Sequence, residues 1–78
     1  MEETIQKIML KAYEVNKNTK HTVFITFMGH VEWFNVQIYL NGWKENEEPD
    51  INKEIYLDKK YAISDLKFIL KELEELEE

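Results

Sequence analysis

The first pattern along the chain is that of an amphipathic helix. Between residues 4 and 15 the hydrophobic side chains recur at intervals of three and four, which places them on one helical face: Ile5, Ile8, Met9, Ala12 and Tyr13. Glu2 and Glu3 lie just before this stretch, where the helix dipole favours acidic residues. The polar run 16–20 ends the pattern, so the sequence predicts an N-terminal helix followed by a turn.

Residues 21–43 change to a period of two, and β-branched and aromatic residues dominate them. Gly29 and His30 form the one short break, so this segment predicts a β-hairpin. With a two-residue loop at this break, Met28 lies opposite Val31, Ile25 opposite Phe34, and Val23 opposite Val36. A four-residue loop changes these pairs but keeps every side chain on the same face, because the shift is even.

With either loop the hairpin has one apolar face and one mixed face. The apolar face collects Val23, Ile25, Phe27, Phe34, Val36, Ile38 and Leu40. The mixed face collects Thr22, Phe24, Thr26, Trp33, Asn35, Gln37 and Tyr39. We expect the apolar face to be buried and the mixed face to point away from the core.

The remaining pattern predicts a loop, a third strand and a second helix. Asn41 and Gly42 end the second strand, residues 44–50 are too polar to bury, and residues 54–57 alternate again. A helical stripe follows: Ala62, Leu66, Ile69, Leu70, Leu73 and Leu76. Asp58 or Ser64 is its predicted N-cap. The acids between residues 72 and 78 oppose the helix dipole, which predicts fraying there.

The element order is therefore α-β-β-β-α, and the expected fold class is α+β. With 78 residues the chain is too short for two independent cores, so residues 1–78 are expected to form a single domain. A three-stranded antiparallel sheet with two helices on one face gives a two-layer architecture.

Composition limits the chemistry of this domain. Sixteen acids against ten lysines give a formal charge of -6, which disfavours nucleic acid as a direct ligand. The absence of cysteine excludes disulfides and thiolate metal sites. His21 and His30 lie at opposite ends of the first predicted strand, and the one serine, Ser64, is explained by capping. We therefore predict no enzymatic activity, no metal and no cofactor or small-molecule substrate.

No apolar run is long enough to suggest a membrane span, and no positively charged leader precedes a hydrophobic segment. The sequence predicts a cytoplasmic protein without a membrane partner.

The mixed face of the sheet is the first candidate binding surface. Its aromatic residues are Phe24, Trp33, Tyr39 and Tyr56, with Trp43 at the border. Aromatic side chains among uncharged polar ones are typical of the core of a protein interface, for a foreign partner or a second copy. The alternative is that these rings only shield the strand backbone.

The acidic loop is the second candidate. Glu45, Glu47, Glu48 and Asp50 cluster within residues 45–50, and a further acidic run ends the chain. Such runs commonly keep a protein soluble. Alternatively, the carboxylates imitate a phosphate array and occupy the basic groove of a nucleic-acid-binding protein.

Residues 24–43, with the turn Gly29-His30-Val31 and the end Asn41-Gly42-Trp43, resemble a pattern in small proteins of phages and prophages of low-GC Gram-positive bacteria. That family carries no established chemistry. The resemblance implies a phage accessory protein that acts in the bacterial cytoplasm.

The element order is also similar to that of the double-stranded-RNA-binding domain. Lys59-Lys60-Tyr61-Ala62, at the start of the second helix, is similar to the basic segment of that family. This similarity implies RNA contacts by Lys59 and Lys60, although the acidic end of the same helix repels phosphate.

Together these features predict a non-enzymatic protein-interaction module that binds a host protein or a second copy through its aromatic face. An acidic nucleic-acid mimic and an RNA-binding domain are the alternatives.

Overall fold

A computed structural model describes residues 1–77 and contains the predicted elements in the predicted order. They are α1 (Glu2–Asn18), β1 (Thr22–Met28), β2 (Trp33–Tyr39), β3 (Ile51–Tyr56) and α2 (Ala62–Leu76), with a short 3-10 turn at Gly29–Val31. Both strand pairs are antiparallel, and the sheet order is β1-β2-β3. The α+β fold with a three-stranded antiparallel sheet and two helices is therefore confirmed.

Two elements are longer than predicted. The first helix extends three residues beyond Val15, and β3 begins at Ile51 instead of Glu54. Asn52 and Lys53 do not alternate clearly with hydrophobic neighbours, so the sequence pattern missed them. They join the strand because β2 offers backbone partners to this whole segment.

The core lies between both helices and one face of the sheet. It contains residues from α1, from the apolar face of all three strands and from α2: Ile8, Ala12, Val15, Val23, Phe34, Val36, Ile38, Ile55, Ala62, Leu66, Ile69 and Leu73. Phe27 was expected on this face to be buried, and that prediction is wrong because its ring is 60% exposed. It lies near the hairpin end of an edge strand, where the helices leave it uncovered.

The hairpin uses the four-residue loop. Met28 pairs with Trp33, Ile25 with Val36, and Val23 with Ile38. The pairs expected for a two-residue loop are wrong, whereas the assignment of residues to faces holds. A two-residue hairpin turn needs positive φ at its first central residue, but Gly29 does not adopt it. Instead Glu32 is left-handed, with φ of 50°, and donates its N–H to the Gly29 carbonyl.

Helix α1 buries a narrower stripe than its sequence predicts. Ile8, Ala12 and Val15 are buried, but Met9 and Tyr13 are exposed. Two helices on a three-stranded sheet enclose only the central part of each helix face, so residues at the border of the apolar stripe stay in contact with water.

Helix α2 begins without a side-chain cap. Its N-cap residue is Tyr61, so Asp58 and Ser64 were both wrong predictions. The chain enters the helix through backbone turns from Tyr56 to Lys59 and from Lys59 to Ala62. Ser64 lies in the first turn of the helix, and its hydroxyl donates to the Tyr61 carbonyl.

The C-terminal part of α2 is tied to α1. Lys11 Nζ lies 2.9 Å from Glu77 Oε1, and Asn18 donates to Glu77 Oε2 over 3.5 Å. The hydrogen bond from Lys11 lowers the pKa of Glu77, while hydrogen bonds to Glu77 and Glu14 raise the pKa of Lys11. Glu77 therefore holds to α1 the end of the chain where fraying was predicted. Glu78 lies outside the described residues.

This ion pair predicts a pH dependence of stability. The folded-state pKa of Glu77 is below its ordinary value of 4.5, so its contribution is complete above pH 4.5 and is lost as the pH falls through the lower folded value. Urea denaturation at pH 7 and pH 3 measures the loss. The native chain should lose more stability between these values than Glu77→Gln does. Glu75→Gln, at an exposed position of the same helix, should lose as much as the native chain.

Neither α1 nor α2 combines the length and the hydrophobicity that crossing a bilayer requires, and residues 1–77 contain no other helix that does.

Candidate functional site

One face of the sheet has no helix over it in the part of the chain that the structure describes. We call it the outer face. It is formed by alternate residues of the three strands: Thr22, Phe24, Thr26, Met28, Trp33, Asn35, Gln37, Tyr39, Asn52, Glu54 and Tyr56. Glu54 is the one charged residue among them. The face is therefore flat, largely uncharged and open to contact.

The hairpin end of the outer face carries a continuous apolar row. Trp33 lies between Met28 on one neighbouring strand and Tyr56 on the other. Met28 and Tyr56 are exposed, and Trp33 is half-buried between them. The register thus places two predicted site residues, Trp33 and Tyr56, directly opposite each other on neighbouring strands and adds Met28, which had not been predicted to take part.

A second aromatic pair lies at the other end of the face. The rings of Phe24 and Tyr39 meet edge to face, with centroids 5.7 Å apart. Phe24 is exposed, but Tyr39 is only 7% exposed. Tyr39 therefore contributes mainly to packing within the monomer, whereas Phe24 is accessible.

A fixed polar residue separates these two ends. Asn35 is buried, and its Nδ2 donates to Asn52 Oδ1 at 2.7 Å and to the Lys53 carbonyl at 3.1 Å. These bonds compensate the desolvation of the amide and hold its orientation. Thr26 and Glu54, its neighbours in the same cross-strand row, are exposed and available for hydrogen bonds to a partner.

Trp43 borders the outer face as predicted. Its backbone N–H donates to the hydroxyl of Thr22 over 3.1 Å, which ties the loop after β2 to the start of β1. Gly42, with φ of 86°, permits this turn, and a side chain there would come within 3.2 Å of the Lys20 carbonyl. The indole itself is exposed.

The acidic loop presents fewer free carboxylates than the sequence indicates. Glu45, Glu47 and Glu48 are exposed. Asp50 instead accepts a 2.7 Å hydrogen bond from the Leu40 N–H, and its own N–H donates to the Ile38 carbonyl. Asp50 therefore closes the connection between β2 and β3 while its side chain stays exposed. Glu45, Glu47 and Glu48 are the three carboxylates of this candidate surface without such a bond to the backbone of β2.

The histidines lie apart, as their sequence positions indicate. His21 Nδ1 is 2.6 Å from the Leu40 carbonyl, while His30 is exposed in the hairpin turn. Within residues 1–77, no group of three histidine or carboxylate side chains is arranged to hold a metal ion. Lys59 and Lys60 are exposed in the turn before α2.

The sequence did not reveal a groove between α1 and β1. It has a volume of about 250 Å³ and opens to solvent. Its lining is mainly apolar: Met9, Ala12, Tyr13, Asn16, Val23 and Ile25. The sequence shows only that residues 22–28, which form one wall of the groove, contain no charge. An uncharged strand at the edge of a sheet is unusual, but its position at the edge is known only from the fold.

Among known proteins the chain matches no family model, no curated sequence and no solved structure, so its function has to be inferred from its own geometry.

Proposed function

We propose that the protein is a non-enzymatic interaction module that binds another protein through the outer face of its sheet. The observation that carries this proposal is the exposed apolar row of Met28, Trp33 and Tyr56 on a face that neither helix covers. Large aromatic side chains are enriched among the residues that dominate binding energy in protein interfaces. An apolar row bordered by fixed hydrogen-bonding groups suits recognition of a flat protein surface.

The charge of the outer face defines the kind of partner. Glu54 is its single ionic residue, so contacts are mainly apolar and hydrogen-bonding. Such binding depends little on salt, because screening acts on exposed charges. A nucleic-acid mimic acting through Glu45, Glu47 and Glu48 would instead bind a basic partner and weaken steeply as salt rises.

The size of the outer face limits affinity. Three strands of about seven residues present a footprint of roughly 350 Å². A standard interface takes about 800 Å² from each partner. One copy therefore binds weakly unless the partner also contacts the edges of the sheet or the outer face is enlarged.

The resemblance of residues 24–43 to phage and prophage proteins supports a biological setting for this proposal. In that setting the chain is a phage accessory protein, and its partner is a protein of the bacterial cytoplasm.

Capture of a partner on the immobilised native chain, followed by measurement of its affinity for variants, tests the proposal. A partner is captured from a lysate of a low-GC Gram-positive bacterium at 0.1 and 0.5 M NaCl, purified, and titrated against variants. We expect Tyr56→Ser to weaken binding by about tenfold or more, as for an interface hot spot. Tyr61→Ser is the matched control, because Tyr61 is similarly exposed but lies off the sheet, and it should change affinity less than about twofold.

The opposite pattern overturns the proposal. If charge reversal at Glu45, Glu47 and Glu48 abolishes binding while Tyr56→Ser leaves it unchanged, the acidic loop is the binding surface. If Lys59→Glu with Lys60→Glu abolishes a salt-sensitive RNA gel shift of the native chain, the double-stranded-RNA-binding resemblance describes the function instead.

A further inference from the structure

The β1 edge of the sheet is the less protected of its two edges. The other edge strand, β3, carries Lys53 and Glu54, charged residues of the kind that discourage pairing with a further strand. Strand β1 has seven residues and no charge. It has exposed hydrophobic side chains on both faces, with Phe24 and Met28 on the outer face and Phe27 on the core face. These are the properties of a strand that accepts another strand.

Asn16 occupies one position of this edge. Its Oδ1 accepts a 2.7 Å hydrogen bond from the Val23 N–H, and its Nδ2 donates over 2.9 Å to the Val23 carbonyl. Backbone groups alternate in direction along an antiparallel strand, so those of Ile25 and Phe27 point to the same edge. The Asn16 clamp therefore leaves Ile25 and Phe27 as the residues that an added strand can bond.

We infer that β1 pairs antiparallel with β1 of a second copy of this chain, about a two-fold axis at Thr26. This register places Ile25 opposite Phe27 of the second copy, and both equivalent pairs exchange their N–H···O bonds. A two-fold axis at Ile25 would instead need the backbone of Val23, which Asn16 already holds. The clamp thus excludes an axis at Ile25.

The side chains in this register are complementary. Phe24 lies opposite Met28 of the second copy, and Thr26 lies opposite its own equivalent, with no charge in any pair. Aromatic, β-branched and threonine pairs each stabilise neighbouring strands. Two molecules that each carry a charge of -6 therefore meet at an uncharged strand, where repulsion is smallest.

The groove beside α1 provides space for a side chain of the second copy. Directly opposed residues share a sheet face, so Phe27 of the second copy lies on the core side beside Ile25. Ile25 lines the 250 Å³ groove together with Met9 and Tyr13 of α1. The pairing therefore brings an exposed ring to an apolar groove, and symmetry repeats this contact in the other copy.

The area available is that of a modest dimer. Covering the exposed parts of Met9, Tyr13, Phe24, Phe27 and Met28 removes roughly 500–600 Å² per copy from water, which is near the lower limit for a specific interface. We expect a dissociation constant of about 1–100 μM. This contact shares Met28 with the apolar row proposed to bind a partner, but it does not use Trp33 or Tyr56. It therefore stands whether or not that proposal holds.

A single cysteine tests the register, because the chain contains no other thiol. Cross-strand neighbours of the Thr26 type lie about 4.5 Å apart at Cα, within the range of a disulfide. Mild oxidation of Thr26→Cys at about 100 μM should therefore give a covalent dimer. Met28→Cys is the control, since its two copies would lie about 13 Å apart. Equal cross-linking of both variants, or none by Thr26→Cys, would overturn the inference.

Sedimentation equilibrium of the native chain from about 1 to 500 μM gives an independent test. The 9.5 kDa monomer should convert to a dimer over this range. Thr26→Lys places two ammonium groups opposite each other and should weaken the dimer about tenfold or more. Tyr61→Lys, at an exposed position off the sheet, should not weaken it. A monomer at every concentration overturns the inference. So does a dimer that Tyr56→Ser abolishes and Thr26→Lys retains, because the copies would then meet through the outer face.

Discussion

Phe34→Ala is expected to remove a large part of the protein's folding stability. Phe34 is 1% exposed, at the centre of the layer between the sheet and the helices. Removing a buried phenyl ring costs about 3–5 kcal/mol, since the lost burial adds to the energy of the cavity. A domain of this size has roughly 4–12 kcal/mol of stability in total. Thermal denaturation followed by circular dichroism should show the midpoint lowered by roughly 15–30 °C.

Phe24→Ala is the matched control for this prediction. It makes the same chemical change on the opposite face of the sheet, at a residue that is 42% exposed. It removes the edge-to-face contact with Tyr39 but leaves no buried cavity, so we expect a loss of about 1 kcal/mol. Equal losses for the two variants would contradict the assignment of residues to the two faces.

Asn16→Ala is expected to destabilise the protein by about 1–3 kcal/mol. The substitution removes both hydrogen bonds between α1 and the backbone of Val23 and leaves the N–H and carbonyl of a buried residue without them. Chemical denaturation measures the loss of stability. Hydrogen exchange should also show faster exchange of the Val23 amide.

Asn18→Ala is the control that separates the loss of the two Asn16 hydrogen bonds from the effect of replacing any asparagine of α1 by alanine. Asn18 lies in the same helix, and its side chain makes only a long hydrogen bond of 3.5 Å to Glu77. Both substitutions raise helix propensity, so the difference between them measures the clamp. We expect Asn18→Ala to change stability by about 0.5 kcal/mol or less. If the two variants are equally stable, the hydrogen bonds of Asn16 to Val23 contribute nothing to the stability of the fold.

The two proposed surfaces have a joint consequence. Pairing through β1 joins two sheets edge to edge and places their outer faces side by side. The combined footprint is roughly 700 Å², close to the 800 Å² that a standard interface takes from one partner. A self-associated form should therefore bind a flat partner more tightly than one copy does, which makes partner affinity depend on the concentration of the protein itself.

The fold was predictable because three independent patterns agreed. The helical stripes, the alternation of residues 21–43 and the polar loop each limit the chain to one class of element. The face of every hairpin residue followed from parity alone, which is why Phe34, Val36 and Ile38 were correctly expected in the core. The pairing itself was not predictable, because a loop of two residues and a loop of four residues satisfy the same alternation.

The candidate site was predictable only in part. The outer face contains Phe24, Trp33, Tyr39 and Tyr56 as the alternation requires, with Trp43 at its border. That Tyr39 is buried depends on neighbouring side chains in space, and that Asp50 serves as a backbone acceptor depends on how the chain returns from β2 to β3. Alternation along the chain carries no information about either.

The sequence by itself determined the element order, the two faces of the sheet and the absence of charge in β1, because these depend on local periodicity and composition. Tertiary structure decided that β1 is an edge strand, that Asn16 clamps one of its positions, and that a groove opens beside it. Those features join residues of α1 to residues of the sheet. They arise from the order of the strands and from the contact of α1 with β1, which no repeat along the chain encodes.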